Sequence, residues 1–174
     1  GLEQPLADSG NPGRCAGAAL GVCELMRAGV ESPEQSRICG RVLGLLLVPA
    51  AEQDSAVLAC ACDGLRRLSE RKALVVETLR TGGGASQQDL LNRVHELSAA
   101  TAETLELSQS SRDLVYASWR LLGQLAAWGG EGSEQCLDKL LDLGLKNSSE
   151  EAMAAMGLAI CAAASDPLAP SGPT

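Results

Sequence analysis

Short apolar runs with helical spacing follow one another along nearly the whole chain. Most are opened by Ser or Asp and closed by Gly or Asn. The clearest instance is Ser133-Glu134-Gln135-Cys136-Leu137-Asp138-Lys139-Leu140-Leu141-Asp142-Leu143-Gly144, then the turn Leu145-Lys146-Asn147, then Ser149 to Ala164. A Ser side chain accepts from the free N–H groups of a helix start, and Gly or Asn tolerates the left-handed conformation that ends one. The segment therefore reads as helix, tight turn, helix. Helices this short bury their apolar stripes by stacking on one another. A stack of such pairs makes a surface, and surfaces bind rather than catalyse.

Only three residues are aromatic, Tyr116, Trp119 and Trp128, and there is no Phe. The core must be built from Leu, Ala, Val and Cys. Ala and Leu are strong helix formers and β-branched residues are sparse, so an all-α fold is expected. The 174 residues, 45% of them hydrophobic, suit a single domain.

The spacing places helix one from about Gly13 to Arg27. Helix two opens at Ser32-Pro33-Glu34-Gln35, carries Ile38, Val42, Leu45 and Leu46, and closes at Pro49. Helix three begins near Asp54 and helix four runs from Arg71 to Leu79. Helix five follows Ser86 and extends toward Leu107, and Ser110-Ser111 caps helix six. The pair quoted above is seven and eight. Gly82-Gly83-Gly84 and Gly129-Gly130-Glu131-Gly132 read as loops. Residues 1–12 read as a flexible N-terminal segment, 13–164 as a helical-repeat domain, and 165–174, with three prolines, as a disordered tail.

Helix-end segments recur unevenly, about 30 residues apart, at Gly64-Leu65-Arg66-Arg67-Leu68-Ser69, Val94 to Ala99, Leu122 to Ala127 and Gly157 to Ala162. The segment Glu134 to Ala164 resembles the second and third helices of an armadillo repeat: a leucine-rich helix, a short Lys-Asn-Ser turn, then an Ala-rich helix. Similar halves can be drawn at Lys72 to Ala99 and from helices two and three, so the resemblance covers residues 33–164. It implies a short right-handed stack of antiparallel helix pairs of the armadillo/HEAT kind, a binding scaffold with no active site of its own. The groove Asn of many armadillo repeats is not evident. A compact helical bundle of the adaptor or death-fold kind is the alternative.

Fourteen basic against twenty-two acidic residues give a net charge of −8, which repels a phosphate backbone. The densest basic stretch, Arg66-Arg67 to Arg71-Lys72, is interrupted by Glu70. Nucleic acid is therefore not expected as a partner. The seven cysteines are odd in number, irregularly spaced and mostly on apolar stripes, which predicts buried reduced thiols and a cytoplasmic or nuclear chain. Cys60 and Cys62, two apart on a helix, point about 200° from each other and do not grip one ion easily. The apolar stretches Leu45 to Ala51 and Ala152 to Ala164 are too short or too Ala-rich to span a bilayer. The Asn147-Ser148-Ser149 sequon reads as a helix stop followed by a cap. A start at Gly1 without Met or signal segment predicts a piece of a longer protein or a processed form.

No phosphate-binding loop follows Gly82-Gly83-Gly84, His95-Glu96 lacks the second His of a zinc-protease helix, and there is no Gly-x-Ser-x-Gly elbow. His95, with Arg93 and Glu96, reads as part of a solvated face. Spacing is silent on a Cys–His pair assembled by the fold, but no local feature marks any Cys as activated. No catalytic residue, metal or cofactor is expected.

One constellation stands out. On helix six, Tyr116, Trp119, Arg120 and Gly123 lie three or four residues apart, while Leu114, Leu121, Leu122 and Leu125 supply a core stripe. Tyr116, Arg120 and Gly123 face broadly away from that stripe, with Trp119 at its flank. Tyr, Trp and Arg are enriched at binding hot spots, so Tyr116, Trp119 and Arg120 form the candidate protein-binding site. The competing reading is that Trp119 fills a gap between helices and Arg120 pairs with a nearby acid. The expected function is a non-catalytic scaffold or adaptor module with a protein partner. The alternative is a regulatory helical domain attached to an enzyme such as a kinase or GTPase regulator.

Overall fold

The computed structural model describes residues 11–28, 35–47, 54–81, 85–99, 109–128, 133–146 and 150–164. Among them are eight α-helices and no strand: α1 Pro12–Arg27, α2 Gln35–Leu47, α3 Ser55–Leu68, α4 Lys72–Thr81, α5 Gln87–Ser98, α6 Gln109–Ala126, α7 Ser133–Lys146 and α8 Glu150–Ala164. A 3-10 turn, Ser69–Arg71, joins α3 to α4. The protein is all-α. Residues 1–10 and 165–174, the Ser32-Pro33 start and Pro49 stop of α2, and the extension of α5 to Leu107 lie outside the described residues. So do the glycine loops at 82–84 and 129–132 and the turn at 147–149.

Several helix starts follow from local chemistry. Asp54 caps α3 by accepting from the Ala56 N–H at 2.8 Å. Ser86 and Asp89 form a capping box at the start of α5, with Ser86 Oγ accepting from the Asp89 N–H at 3.1 Å. Two boundaries differ from expectation. Asn11 caps α1 by accepting from the Arg14 N–H at 3.1 Å, and Pro12 takes the first helical position, so both belong to the helix start rather than to a linker. Helix α6 already begins at Gln109, which puts Ser110 and Ser111 inside its first turn.

Packing is organised as a row. Helix α1 packs along α3, α3 along α6, and α6 along α8; these are the most extensive helix contacts in the molecule. Helices α2 and α4 pack on one another, α2 also meets α3 and α5, and α5 and α7 cover α6. The core is aliphatic, with Leu46, Leu58, Leu65, Leu68, Leu90 and Leu122 all fully buried. Cys15, Cys39, Cys62 and Cys136 are buried within it, Cys60 is half-buried and Cys161 exposed, and all six are free thiols. Burial pushes the Cys62 thiol up to about 12 and the Cys136 thiol up to about 11. Both therefore stay protonated and behave as small hydrophobes. No helix among the described residues is long and apolar enough to cross a membrane.

Long side chains close the C-terminal ends of helices, where carbonyls lack partners within the helix. Arg93 on α5 donates from Nε to the Leu46 carbonyl of α2 at 2.8 Å. Trp119 on α6 donates from Nε1 to the Ser98 carbonyl of α5 at 3.0 Å. Trp128 donates from Nε1 to the Ser69 carbonyl at 2.8 Å, while Lys72 Nζ donates to the Trp128 carbonyl at 2.7 Å. The expectation that Arg93 lies on a solvated face is corrected: its side chain is only 11% exposed and ties α5 to α2. An Arg three residues before a Glu on a helix looks like a surface ion pair, and the Arg93–Glu96 pair does form, at 2.8 Å. The bond to α2, 47 residues away, leaves no trace in the local sequence.

His95 is likewise half-buried and joins α5 to α7. Lys139 Nζ lies 2.7 Å from His95 Nδ1. The ammonium can only donate, so Nδ1 accepts and the ring proton sits on Nε2, which is shut off from solvent without a partner among the described residues. Burial, and then the charge on Lys139, hold the His95 pKa below its ordinary value. On acidification the unfolded chain takes up this proton first. The stability involved is therefore present above pH ~6.5 and is lost as the pH falls toward the folded-state value. A series of urea midpoints across this range should fall more steeply for the wild type than for His95→Gln. Parallel profiles would show that His95 does not couple folding to pH.

Candidate functional site: the open stripe of α6

Helix α6 is hemmed in by α3, α5, α7 and α8, and nine of its side-chain positions between Val115 and Ala126 are buried. Among its open or half-open positions is a stripe, Gln109, Asp113, Tyr116 and Arg120, spaced four, three and four residues along one helix face; Ser111, Arg112, Leu114 and Gln124 are also only half-buried. Gln109 and Asp113 are exposed, and Tyr116 and Arg120 are half-buried. Gln109 Nε2 donates to the Asp113 carboxylate at 2.9 Å.

A concavity flanks the stripe on each side. The first, about 280 Å3, lies toward α3 and α1 and is lined by Leu20, Ala56, Cys60 and Asp63 together with Asp113, Tyr116 and Arg120. The second, about 330 Å3, lies toward α8, where Ala154 and Leu158 face Arg112, Tyr116 and Arg120. Both open to solvent. Their shape follows from how the row packs. Helices α6 and α8 touch at Gly123 and Ala159, where the backbones come so close that no Cβ fits on Gly123. Between the halves of the two helices that precede this point, the second concavity opens. Alanines along the α3 and α8 walls keep both gaps from filling.

The structure separates the residues singled out in the sequence. Tyr116 and Arg120 sit together on the open stripe and line both concavities. Trp119 does not join them. It is fully buried, and its only polar atom is spent on the Ser98 carbonyl. Assigning it to the binding site is corrected, since it fills the space between helices. Gly123 is corrected for the same reason: it faces α8, not solvent. Tyr116 still touches Trp119, with ring centroids 5.6 Å apart and the planes tilted by 57°, so the groove floor rests directly on the core. The suggested Arg120–acid pair does not form among the described residues. Asp63 is taken by Arg66 at 3.2 Å and by Arg67 at 2.9 Å, and Arg67 also pairs with Glu24 of α1.

Sequence reasoning missed Asp113, Arg112 and the α8 wall. Asp113 and Arg112 carried a signal, since both belong to the helical face that holds Tyr116 and Arg120. The α8 residues carried none. The thiol in the first concavity, Cys60, is pushed up by burial and by the charges of Asp63 and Asp113, so it stays a protonated wall residue. No protein-family model, curated protein or solved structure matches this chain.

Proposed function

We propose that this chain is a non-catalytic protein-binding module, a short stack of antiparallel helix pairs of the armadillo/HEAT kind, acting as a scaffold or adaptor in the cytoplasm or nucleus. The serial packing of α1, α3, α6 and α8, with α2, then α4 and α5, then α7 between them in sequence, supports such a stack. The free, mostly buried thiols suit a reducing compartment. One observation carries the binding assignment: α6 presents Tyr116 and Arg120 on a partly open face, between two concavities that both residues line. Tyr offers a rigid amphipathic surface and Arg a planar fork of donors, the combination found where a few side chains dominate an interface.

Photo-crosslinking tests this directly. A photoreactive side chain at Gln109 or Ala154, at the groove, is expected to form adducts with another polypeptide in cell extract. The same group at Asn92, exposed on α5, is expected to form none. The double variant Tyr116→Ala/Arg120→Ala should stay folded and lose most adducts, as about 2 kcal/mol is typical of a hot-spot side chain. Equal labelling from both faces, or full adduct yield in the double variant, would remove the groove as the binding surface.

A further inference from the structure

The concavity toward α3 carries two carboxylates, Asp63 and Asp113, against Arg120, but the charge of the one toward α8 differs from that of the whole chain. In a protein of net charge −8, the concavity between α6 and α8 is lined by two arginines, Arg112 and Arg120, against one carboxylate, Asp113. That carboxylate already accepts from Gln109. Arg120 has no ion pair among the described residues, and Arg112 holds its Nε away from solvent with no hydrogen-bond partner among them. Half-buried guanidinium groups without partners favour an incoming anion, and the planar fork of Arg matches a carboxylate with two parallel hydrogen bonds. The facing wall is apolar: Leu158 is 62% exposed and Ala154 lies beside it.

We propose that this concavity binds an acidic segment of a partner protein, one that places a carboxylate on Arg112 and Arg120 and an apolar side chain against Leu158 and Tyr116. The inference rests on the α6 groove being a protein-binding surface and adds the chemistry of its occupant. The protein's overall negative charge slows approach, but at physiological salt that repulsion is screened beyond about 8 Å, while contact inside a half-buried groove is screened much less. The match of charge raises affinity only when the carboxylate sits in the groove, which selects acidic segments with apolar neighbours over acidic chains in general.

Fluorescence anisotropy with the full chain distinguishes the outcomes. The probes are a short labelled peptide of alternating Glu and Leu, its counterpart with Gln for Glu, and a labelled oligothymidylate. The Glu–Leu peptide is expected to bind, and the Gln–Leu peptide to bind about tenfold more weakly or worse, a difference of roughly 1.4 kcal/mol. Arg120→Gln should bring the Glu–Leu peptide down toward the Gln–Leu level, and Arg112→Gln should do the same if it folds by circular dichroism. Leu158→Asp should abolish binding of both peptides.

Equal affinity for the two peptides, or no effect of Arg120→Gln, overturns the proposal. If Leu158→Asp then still abolishes binding, the groove keeps its role as an apolar docking surface. Oligothymidylate binding as tightly as the Glu–Leu peptide also overturns it, because any polyanion would then suffice. If neither peptide binds to the folded protein, the acidic-segment proposal is wrong, and the crosslinks from Gln109 and Ala154 decide separately whether the groove binds protein at all.

Discussion

Trp119→Ala is expected to cost about 3–5 kcal/mol of folding stability from the cavity alone. The side chain is fully buried, and it is the largest in the core. A second loss adds to the first. Without the indole N–H, the Ser98 carbonyl at the end of α5 has lost the donor that reaches it from α6 at 3.0 Å, and an orphaned buried acceptor costs a further ~1–3 kcal/mol. Domains of this size are typically stable by only about 5–15 kcal/mol, so the variant should be close to unfolded at ambient temperature. Trp119→Phe separates the two contributions. It keeps most of the ring and removes only the donor, so it should lose mainly the second. Urea unfolding followed by far-UV circular dichroism measures both. A loss within about 0.5 kcal/mol for Trp119→Ala, the level of an exposed side chain, would mean that Trp119 is available to a partner after all.

Gly123→Ala should also destabilise the protein, against what helix propensity alone suggests. In an exposed helix interior the same change gains about 1 kcal/mol, because Gly has the most backbone freedom to lose. Here a Cβ at position 123 would lie 2.6 Å from Ala159 Cα and from the Ala159 carbonyl carbon, and closer still to the carbonyl oxygen. All three are main-chain atoms, so no rotamer change relieves the clash and α8 must move away from α6. Overpacking of this kind costs about 1–3 kcal/mol and sometimes more, which outweighs the propensity gain. The loss should concentrate in α8, as faster amide exchange between residues 150 and 164. Because the obstacle is backbone, adding Ala159→Gly should not rescue the variant. A Gly123→Ala protein more stable than the wild type would mean that α6 and α8 do not meet at this point.

These two positions also mark the limit of what the sequence could say about the site. Tyr116, Arg120 and Gly123 share one helical face, and Trp119 borders it, so a helical wheel groups all four. The wheel is right for Tyr116 and Arg120, which lie on the open stripe. It is wrong for Gly123 because it has no coordinate along the helix axis: α8 comes into contact near residue 123 and leaves the surface around 116 and 120 uncovered. It is wrong for Trp119 because the partner that claims it, Ser98, is 21 residues away on another helix.

By itself the sequence determined the all-helical class and, among the described residues, the number and order of the helices, together with the starts of α3 and α5 and the aliphatic make-up of the core. Each of these follows from interactions within a few residues: the 3.6-residue period of apolar side chains, the side-chain caps at Asp54 and Ser86, and the scarcity of β-branched and aromatic residues. Tertiary structure decided which helices are neighbours, that Arg93, Trp119 and Trp128 close the ends of other helices, that His95 meets Lys139, and where the row of helices leaves a groove. Those outcomes depend on contacts between segments tens of residues apart. Such contacts are set by the packing of whole helix faces, and no short stretch of the chain encodes them alone.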